Sequence, residues 1–274
     1  MKNKIFIFNT CILILGIDNI FSQSDLKWRL VQSAPYNSPG GRLDDASFIN
    51  ENTGWVITQD EQNNDYVYKT TNGGVTWDAF TNSSFDGVRC IGFADSLNGW
   101  LGTLSSNGTV LYNTTNGGLN WSGAINTTTG DSLGVCGISV VDKNNVYACG
   151  RYYGPPHLFK TTNGGINWTI KYLGSQIYTL IDCHFFNKDS GFVVGGIGNS
   201  FETRSGAVLF TSDGGDTWIN RSTTPPRGQW CWKISFPERL TGYISLEKLS
   251  GSPVYFLKTT NGGETWTEKV FLNT

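Results

Sequence analysis

Apolar and aromatic positions recur in five consecutive units of the chain. In each unit an apolar residue stands seven positions before an aromatic residue, with a polar stretch between them. The pairs are Phe48 and Trp55, Phe93 and Trp100, Val140 and Tyr147, Phe185 and Phe192, and Phe236 and Tyr243. An apolar residue that ends one strand, a polar turn and an aromatic residue that starts the next predict a β-hairpin in every unit.

A second motif, T-x-[ND]-G-G-x-x-W, follows each hairpin, and successive tryptophans lie 44, 47, 50 and 48 residues apart. We expect the threonine to begin a tight turn, and the Asn or Asp oxygen to bond turn amides. The glycines supply positive φ angles, and the tryptophan opens the next strand and packs between units. The motif residues are Thr70, Asn72, Gly74 and Trp77; Thr114, Asn116, Gly118 and Trp121; Thr161, Asn163, Gly165 and Trp168; Thr211, Asp213, Gly215 and Trp218; and Thr259, Asn261, Gly263 and Trp266.

Two motifs in register through five units predict an all-β chain, a β-propeller of about five four-stranded blades. We name the strands of each blade a to d, and the second motif, which joins c to d, the Gly-Gly turn. The predicted repeats are 34–82, 83–125, 126–173, 174–223 and 224–272, within one domain over 24–274. A further strand-d-like segment, Leu26–Gln32 with Trp28, is expected near the seam of the ring or completing the last blade. An incomplete sixth blade remains the alternative.

Composition agrees with this fold and limits the classes of partner that we expect. The 34 glycines, 14% aromatic residues and 15% charged residues suit short strands and tight turns. The formal net charge is −2, so charge gives no reason to expect nucleic acid as a partner.

The N-terminus has the layout of a signal peptide. Lys2 and Lys4 precede an apolar run from Ile5 to Ile17, and Ser22 is a small residue before Gln23. We therefore predict a signal peptide over 1–23 and an exported chain, which is periplasmic, cell-surface or secreted. No transmembrane segment is expected after its cleavage.

The remaining cysteines are expected to be small buried residues on strands, with one or two disulfides as an alternative. They are Cys90, Cys136, Cys149, Cys183 and Cys231. None has CxxC spacing and the chain has two histidines, so we predict no metal site and no cofactor.

The Gly-Gly turn resembles the Asp-box, or bacterial neuraminidase repeat, with Asn in place of Asp in four of the five copies. Together with the hairpin motif, it makes the chain resemble the photosystem II stability/assembly-factor-like repeat family, from Trp28 to about Leu272. The resemblance implies a β-propeller. Members of that family linked to photosynthesis are assembly chaperones, whereas Asp-boxes also occur in sialidases, other glycoside hydrolases and sortilin-type receptors.

Candidate ligand-binding residues lie in the d-to-a and b-to-c loops, which we expect to share one face. Five arginines fall in or beside these loops, one per blade, and predict a cationic funnel for a carboxylate, sulfate or acidic partner. They are Arg42, Arg89, Arg151, Arg204 and Arg227. Tyr152, Tyr153 and Trp230 are expected to be exposed on this face, where they would stack on sugar rings or anchor a protein, and Trp232 is expected in the core.

The sequence therefore favours a non-enzymatic protein-interaction or assembly scaffold, with no catalytic residue assigned. The alternative is a glycan-acting or glycan-binding propeller, either a sialidase-like glycoside hydrolase or a lectin. A sialidase requires an arginine triad, a Tyr–Glu pair and an acid. Tyr178, Glu202 and Asp45 are the candidates beside the arginines, but no Arg-Ile-Pro element precedes the first blade.

Overall fold

The computed structural model describes residues 7–8, 11–12, 33–35, 41–81, 85–105, 108–126, 133–247, 249 and 253–272. Every regular element in these ranges is a β-strand. A short pairing of β1 (Ile7–Phe8) with β2 (Cys11–Ile12) precedes five four-stranded antiparallel sheets. The predicted fold class, a β-propeller of five blades, is confirmed.

Each blade consists of four strands that are hydrogen-bonded in chain order. Blade 1 comprises β3 (Arg42–Phe48), β4 (Gly54–Gln59), β5 (Asp65–Thr70) and β6 (Asp78–Thr81), and blade 2 comprises β7 (Val88–Phe93), β8 (Gly99–Thr103), β9 (Thr109–Thr114) and β10 (Ser122–Asn126). Blade 3 comprises β11 (Gly137–Val140), β12 (Val146–Gly150), β13 (His157–Thr161) and β14 (Thr169–Tyr172). Blade 4 comprises β15 (Thr179–Phe185), β16 (Gly191–Ile197), β17 (Ser205–Thr211) and β18 (Ile219–Thr223), and blade 5 comprises β19 (Cys231–Ser235), β20 (Gly242–Leu246), β21 (Val254–Thr259) and β22 (Thr267–Leu272).

The last blade takes its fourth strand from β22. The predicted strand Leu26–Gln32 lies outside the described residues, as does the predicted signal peptide apart from β1 and β2.

The five Gly-Gly turns share one hydrogen-bond pattern. The threonine Oγ1 accepts a hydrogen bond from the N–H of the second glycine at 2.8–3.1 Å. The Asn or Asp Oδ1 accepts one from the amide four residues later at 2.9–3.1 Å. Both glycines of every turn have φ between +69° and +96°, which side chains with a Cβ resist. This is the predicted turn chemistry, with Asn and Asp acting alike.

The core lies between blades, where the two members of the hairpin motif meet. Trp55 of blade 1 stacks on Phe93 of blade 2, and Tyr147 of blade 3 stacks on Phe185 of blade 4, both with ring centroids 3.5 Å apart. The aromatic residue of one blade therefore needs the apolar residue of the next. This dependence explains why the two motifs recur together.

All five cysteines after residue 23 are buried and none forms a disulfide. Four lie on strands, and Cys136 lies immediately before β11. They occupy the core as small apolar residues, and the alternative of one or two bridges is not observed.

Candidate binding site on the loop face

The site is built from loops of blades 3, 4 and 5. Arg151, Tyr152 and Tyr153 follow strand b of blade 3, Arg204 precedes strand c of blade 4, and Trp230 precedes strand a of blade 5. The d-to-a and b-to-c loops thus meet on one face, opposite the Gly-Gly turns.

Arg204 is the centre of this site. Its guanidinium carbon lies 4.4 Å from the ring centroid of Trp230 and 5.8 Å from that of Tyr153, and these two rings are 5.4 Å apart. Tyr153 is 63% exposed, as expected for a contact residue. The arrangement holds a planar cation against two aromatic rings, one of which faces solvent.

Trp230 was expected to be exposed, and that expectation is wrong, since its side chain is 1% exposed. Arg204 covers one part of the indole, and Gly196 makes room for another. A Cβ at Gly196 would lie 2.1 Å from Trp230 Cδ1. Trp230 therefore forms the floor beneath Arg204 and Tyr153.

The polar atoms around Arg204 are incompletely satisfied. Among the described residues, no carboxylate lies within ion-pair distance of its guanidinium, and its buried Nε has no hydrogen-bond partner. The buried Oε2 of Glu247 also has none. Burial raises the pKa of Glu247, and the charge of Arg204 opposes this shift. A half-buried guanidinium with no carboxylate at ion-pair distance is suited to an incoming carboxylate.

A second arginine joins the site through the tyrosines. The guanidinium of Arg89 lies 5.7 Å from the ring of Tyr152, whose ring lies 4.6 Å from that of Tyr153. Arg89 also forms an ion pair with Asp44 at 2.9 Å, and Arg42 contacts the same carboxylate at 3.3 Å. We call Arg89, Tyr152, Tyr153, Arg204 and Trp230 the loop-face cluster.

Arg227 and Arg151 lie apart from this cluster, whereas Trp232 borders it at Tyr152. Arg227 pairs with Glu268 of β22 and lies over the ring of Tyr255, at 4.3 Å, so it faces the outer strands of blade 5. The side chain of Arg151 packs against Gly134 and Gly154. Trp232 is half-buried rather than in the core, with its ring 5.6 Å from that of Tyr152.

An axial cavity of about 310 Å³ is lined by strand a of all five blades. Lys233 lies in it with Nζ 3.7 Å from Asp45 Oδ2 and 3.9 Å from Asp182 Oδ1. Burial raises the pKa of Asp182 to about 6, although Lys233 opposes the shift. Burial alone would lower the pKa of Lys233, but the two carboxylates outweigh it and hold that pKa above its ordinary value.

The two carboxylates also link consecutive blades. Asp45 Oδ2 accepts a hydrogen bond from the N–H of Ile91 at 3.2 Å, and Asp182 Oδ2 accepts one from Ile234 at 3.0 Å. Sequence reasoning missed this arrangement. The signal was present, because Asp45, Asp182 and Lys233 each stand three residues before the apolar residue of the hairpin motif.

Two further features are absent from the ranges that the structure covers. No group of three or more His, Cys, Asp or Glu side chains there is arranged to hold a metal ion. No helix there is long and apolar enough to cross a membrane.

The fold and the Gly-Gly turns define the class of this protein: it is a five-bladed β-propeller built from sequence repeats. The family model described as "Photosynthesis system II assembly factor YCF48" matches residues 73–202, slightly less than half of the chain. The predicted resemblance to that family is confirmed over those residues. No curated protein matches the chain by sequence.

Solved structures with the same fold include enzymes and an assembly factor. The GH74 enzyme of Niastella koreensis aligns with a TM-score of 0.64 and 21% identity over 83% of this chain and 38% of its own. The GH74 xyloglucanase of Xanthomonas campestris aligns with a TM-score of 0.57 and 10% identity over 84% and 38%. "YCF48 bound to D1 peptide" aligns with a TM-score of 0.52 and 16% identity over 84% and 67%. The chain thus spans well under half the length of the two GH74 proteins, and these likenesses concern the fold.

Proposed function

We propose that this chain is an exported, non-enzymatic β-propeller that binds a protein partner through the loop-face cluster. The observation that carries this proposal is Arg204, whose guanidinium is stacked on Trp230 beside the exposed Tyr153. Among the described residues no carboxylate lies within ion-pair distance of this guanidinium, although its charge acts on the nearby carboxylate of Glu247. Support also comes from the YCF48 family match and from a structural relative, YCF48, that is solved with a peptide bound.

The chemistry of the cluster favours an acidic partner. A guanidinium forms two parallel hydrogen bonds with a carboxylate, and the aromatic floor limits access of water to them. Arg89, at the other end of the tyrosine pair, extends the positive charge across the face, although Asp44 neutralises part of it. Association should therefore weaken as salt concentration rises.

Site-specific photo-crosslinking in the producing cell tests this proposal. A photoreactive phenylalanine replaces Tyr153 or, as the matched control, Tyr172 on the outer strand of blade 3; both tyrosines are 63% exposed. We expect position 153 to give a discrete cross-linked protein that is missing at position 172 and is lost with Arg204→Ala. Identical products at both positions, or an Arg204→Ala variant that cross-links as the parent does, would contradict the proposal.

A glycan ligand is the second candidate, because an exposed tyrosine beside an arginine is also a platform for sugar rings. The structure offers less for hydrolysis. Asp45 lies on β3 in the axial cavity, and Glu202 lies in the exposed loop before β17. Hydrogen bonds from its own backbone amide and from Ser200 lower the pKa of Glu202, which disfavours it as a general acid.

We expect no release of sialic acid from an aryl-sialoside between pH 4 and 8. Turnover that is abolished by Glu202→Gln would instead favour a glycoside hydrolase as the function of this chain.

A further inference from the structure

Four of the five junctions between blades contain a cluster of buried apolar side chains. These clusters join blade 1 to 2, 2 to 3, 3 to 4 and 4 to 5. No such cluster joins blade 5 to blade 1 in the part of the chain that the structure describes. We call this fifth junction the seam. The ion pair between Lys233 and Asp45 crosses it at the axis.

Side chains that face the seam are less buried than those at equivalent positions of the other junctions. The residue three before the threonine of the Gly-Gly turn faces the next blade, and in blades 1 to 4 it is fully buried. These residues are Val67, Leu111, Leu158 and Val208. The equivalent residue of blade 5 is Phe256, a larger apolar side chain that is only half-buried. Tyr243 is likewise half-buried, whereas the equivalent aromatic residues Trp55, Trp100, Tyr147 and Phe192 are buried.

The opposite wall of the seam, on blade 1, is also less buried than its counterparts at the other junctions. Tyr68 is half-buried, whereas the equivalent residues of the other blades, Tyr112, Phe159, Leu209 and Leu257, are buried. The ring centroid of Tyr68 lies 6.1 Å from that of Tyr66, which is also on blade 1. On the blade 5 side of the seam, the ring centroids of Tyr243 and Phe256 are likewise 6.1 Å apart. Two aromatic surfaces, each only half-buried, thus flank the junction.

The N-terminal part of the chain approaches the seam at Ser33. At the closed junctions, the preceding blade reaches the Gly-Gly turn of the next, as when Trp55 Nε1 donates a hydrogen bond to Gly117 O at 3.0 Å. At the Gly-Gly turn of blade 1, Ser33 Oγ donates to Gly74 O at 2.6 Å. The seven residues before Ser33 span about 23 Å when extended, which matches the length of a blade strand.

We propose that residues 26–32 dock as a strand in the seam and insert Leu26, Trp28 and Leu30 between the aromatic walls. These three side chains alternate along the segment and therefore lie on one face of an extended strand. Lys27 and Arg29 lie on the other face. The proposal is independent of the function proposed above, because the seam and the loop-face cluster have no residue in common.

Trypsin sensitivity of the full chain tests this docking directly, because Lys27 and Arg29 are cleavage sites inside the segment. We expect cleavage after both to be at least about tenfold slower than in a synthetic peptide of residues 24–35, since a docked strand must open before it is cut. Trp28→Ala should remove that protection. It should also lower the Tm by about 5–10 °C, as removal of a buried tryptophan does. Tyr172→Ala is the control for melting and should change the Tm by less than about 2 °C.

Cleavage of the unmodified chain at the rate of the peptide would overturn the proposal, whether or not the Trp28 variant folds. A second copy of the chain is the competing occupant. It would give a dimer by sedimentation and protection that is lost on dilution, and that result would also overturn docking of the chain's own segment.

Discussion

The two faces of this propeller differ in how closely the five units repeat one another. On the face of the Gly-Gly turns, five units present the same hydrogen bonds and the same positive φ angles, and their sequences are nearly identical. On the loop face the units differ in length and composition, and the loop-face cluster draws on β7 of blade 2 and on loops of blades 3 to 5. Repetition therefore marks what holds the blades together, whereas departure from repetition marks the face on which we propose that a partner binds. Substitutions on the first face should cost stability, and those on the second should cost binding.

The largest loss of stability is expected from Gly118→Val. Gly118 has φ +92°, which a β-branched residue resists, and its Cβ would lie 3.4 Å from Trp55 Nε1 of the preceding blade. We expect the free energy of unfolding to fall by about 2–4 kcal/mol. Denaturant titration measures this, with Leu119→Ala at the exposed neighbouring position as a near-neutral control. Equal stability of the two variants would show that this turn is not under conformational strain.

Thr114→Val should have the next largest effect. Thr114 Oγ1 accepts hydrogen bonds from the N–H groups of Gly118 and Asn116, at 3.1 and 3.4 Å, and valine has the same shape without the acceptor. We expect a loss of about 1–3 kcal/mol, because buried amides are left unpaired. Thr169→Val removes an exposed hydroxyl from the outer strand of blade 3 and should leave the unfolding midpoint unchanged. If both substitutions cost the same, the hydrogen bonds of the turn do not govern its stability.

The axial cavity lies between the two faces, and its contribution to the free energy of unfolding should depend on pH. Because the pKa of Asp182 in the folded protein is about 6, above its unfolded value, the native state binds more protons than the unfolded state between pH 4 and 6. Stability should therefore fall by about 1–2 kcal/mol as pH rises through this window, relative to Asp182→Asn. Melting of both proteins from pH 4 to 7 measures the difference. The exposed Asp216→Asn should give a curve parallel to that of the unmodified protein, and a parallel curve for Asp182→Asn would show that burial does not raise the pKa of Asp182 in the folded protein.

The smallest effect on stability is expected on the loop face. Tyr153→Ala removes a side chain that is mostly in solvent, so the free energy of unfolding should change by less than about 0.5 kcal/mol. The same variant should lose the partner. Destabilisation comparable to that of Thr114→Val would mean that Tyr153 supports the fold, and the contrast between the two faces would then fail.

Much of the fold was predictable because its information is local. The hairpin and Gly-Gly motifs lie within single blades, and turn geometry depends on a few neighbouring residues such as Asn72 and Gly74. Their recurrence therefore predicted the strand order and the number of blades. The candidate site was only partly predictable. Loop position identified Arg89, Arg204, Tyr152 and Tyr153, but it did not separate them from Arg227, which pairs with Glu268 on a distant strand.

The amino-acid sequence by itself determined the repeat, the turn chemistry and the pairing of strands within each blade, since these depend on contacts between residues near each other in the chain. Only the tertiary structure decided what happens between blades. It buried Trp230 beneath Arg204, since Gly196 of the neighbouring blade leaves room for the indole. It brought Asp45, Asp182 and Lys233 together at the axis from three blades, because strand a of every blade lines the cavity there. The repeat places Asp45, Asp182 and Lys233 at equivalent positions of their blades, but which side chains are buried and paired is set by distances in space.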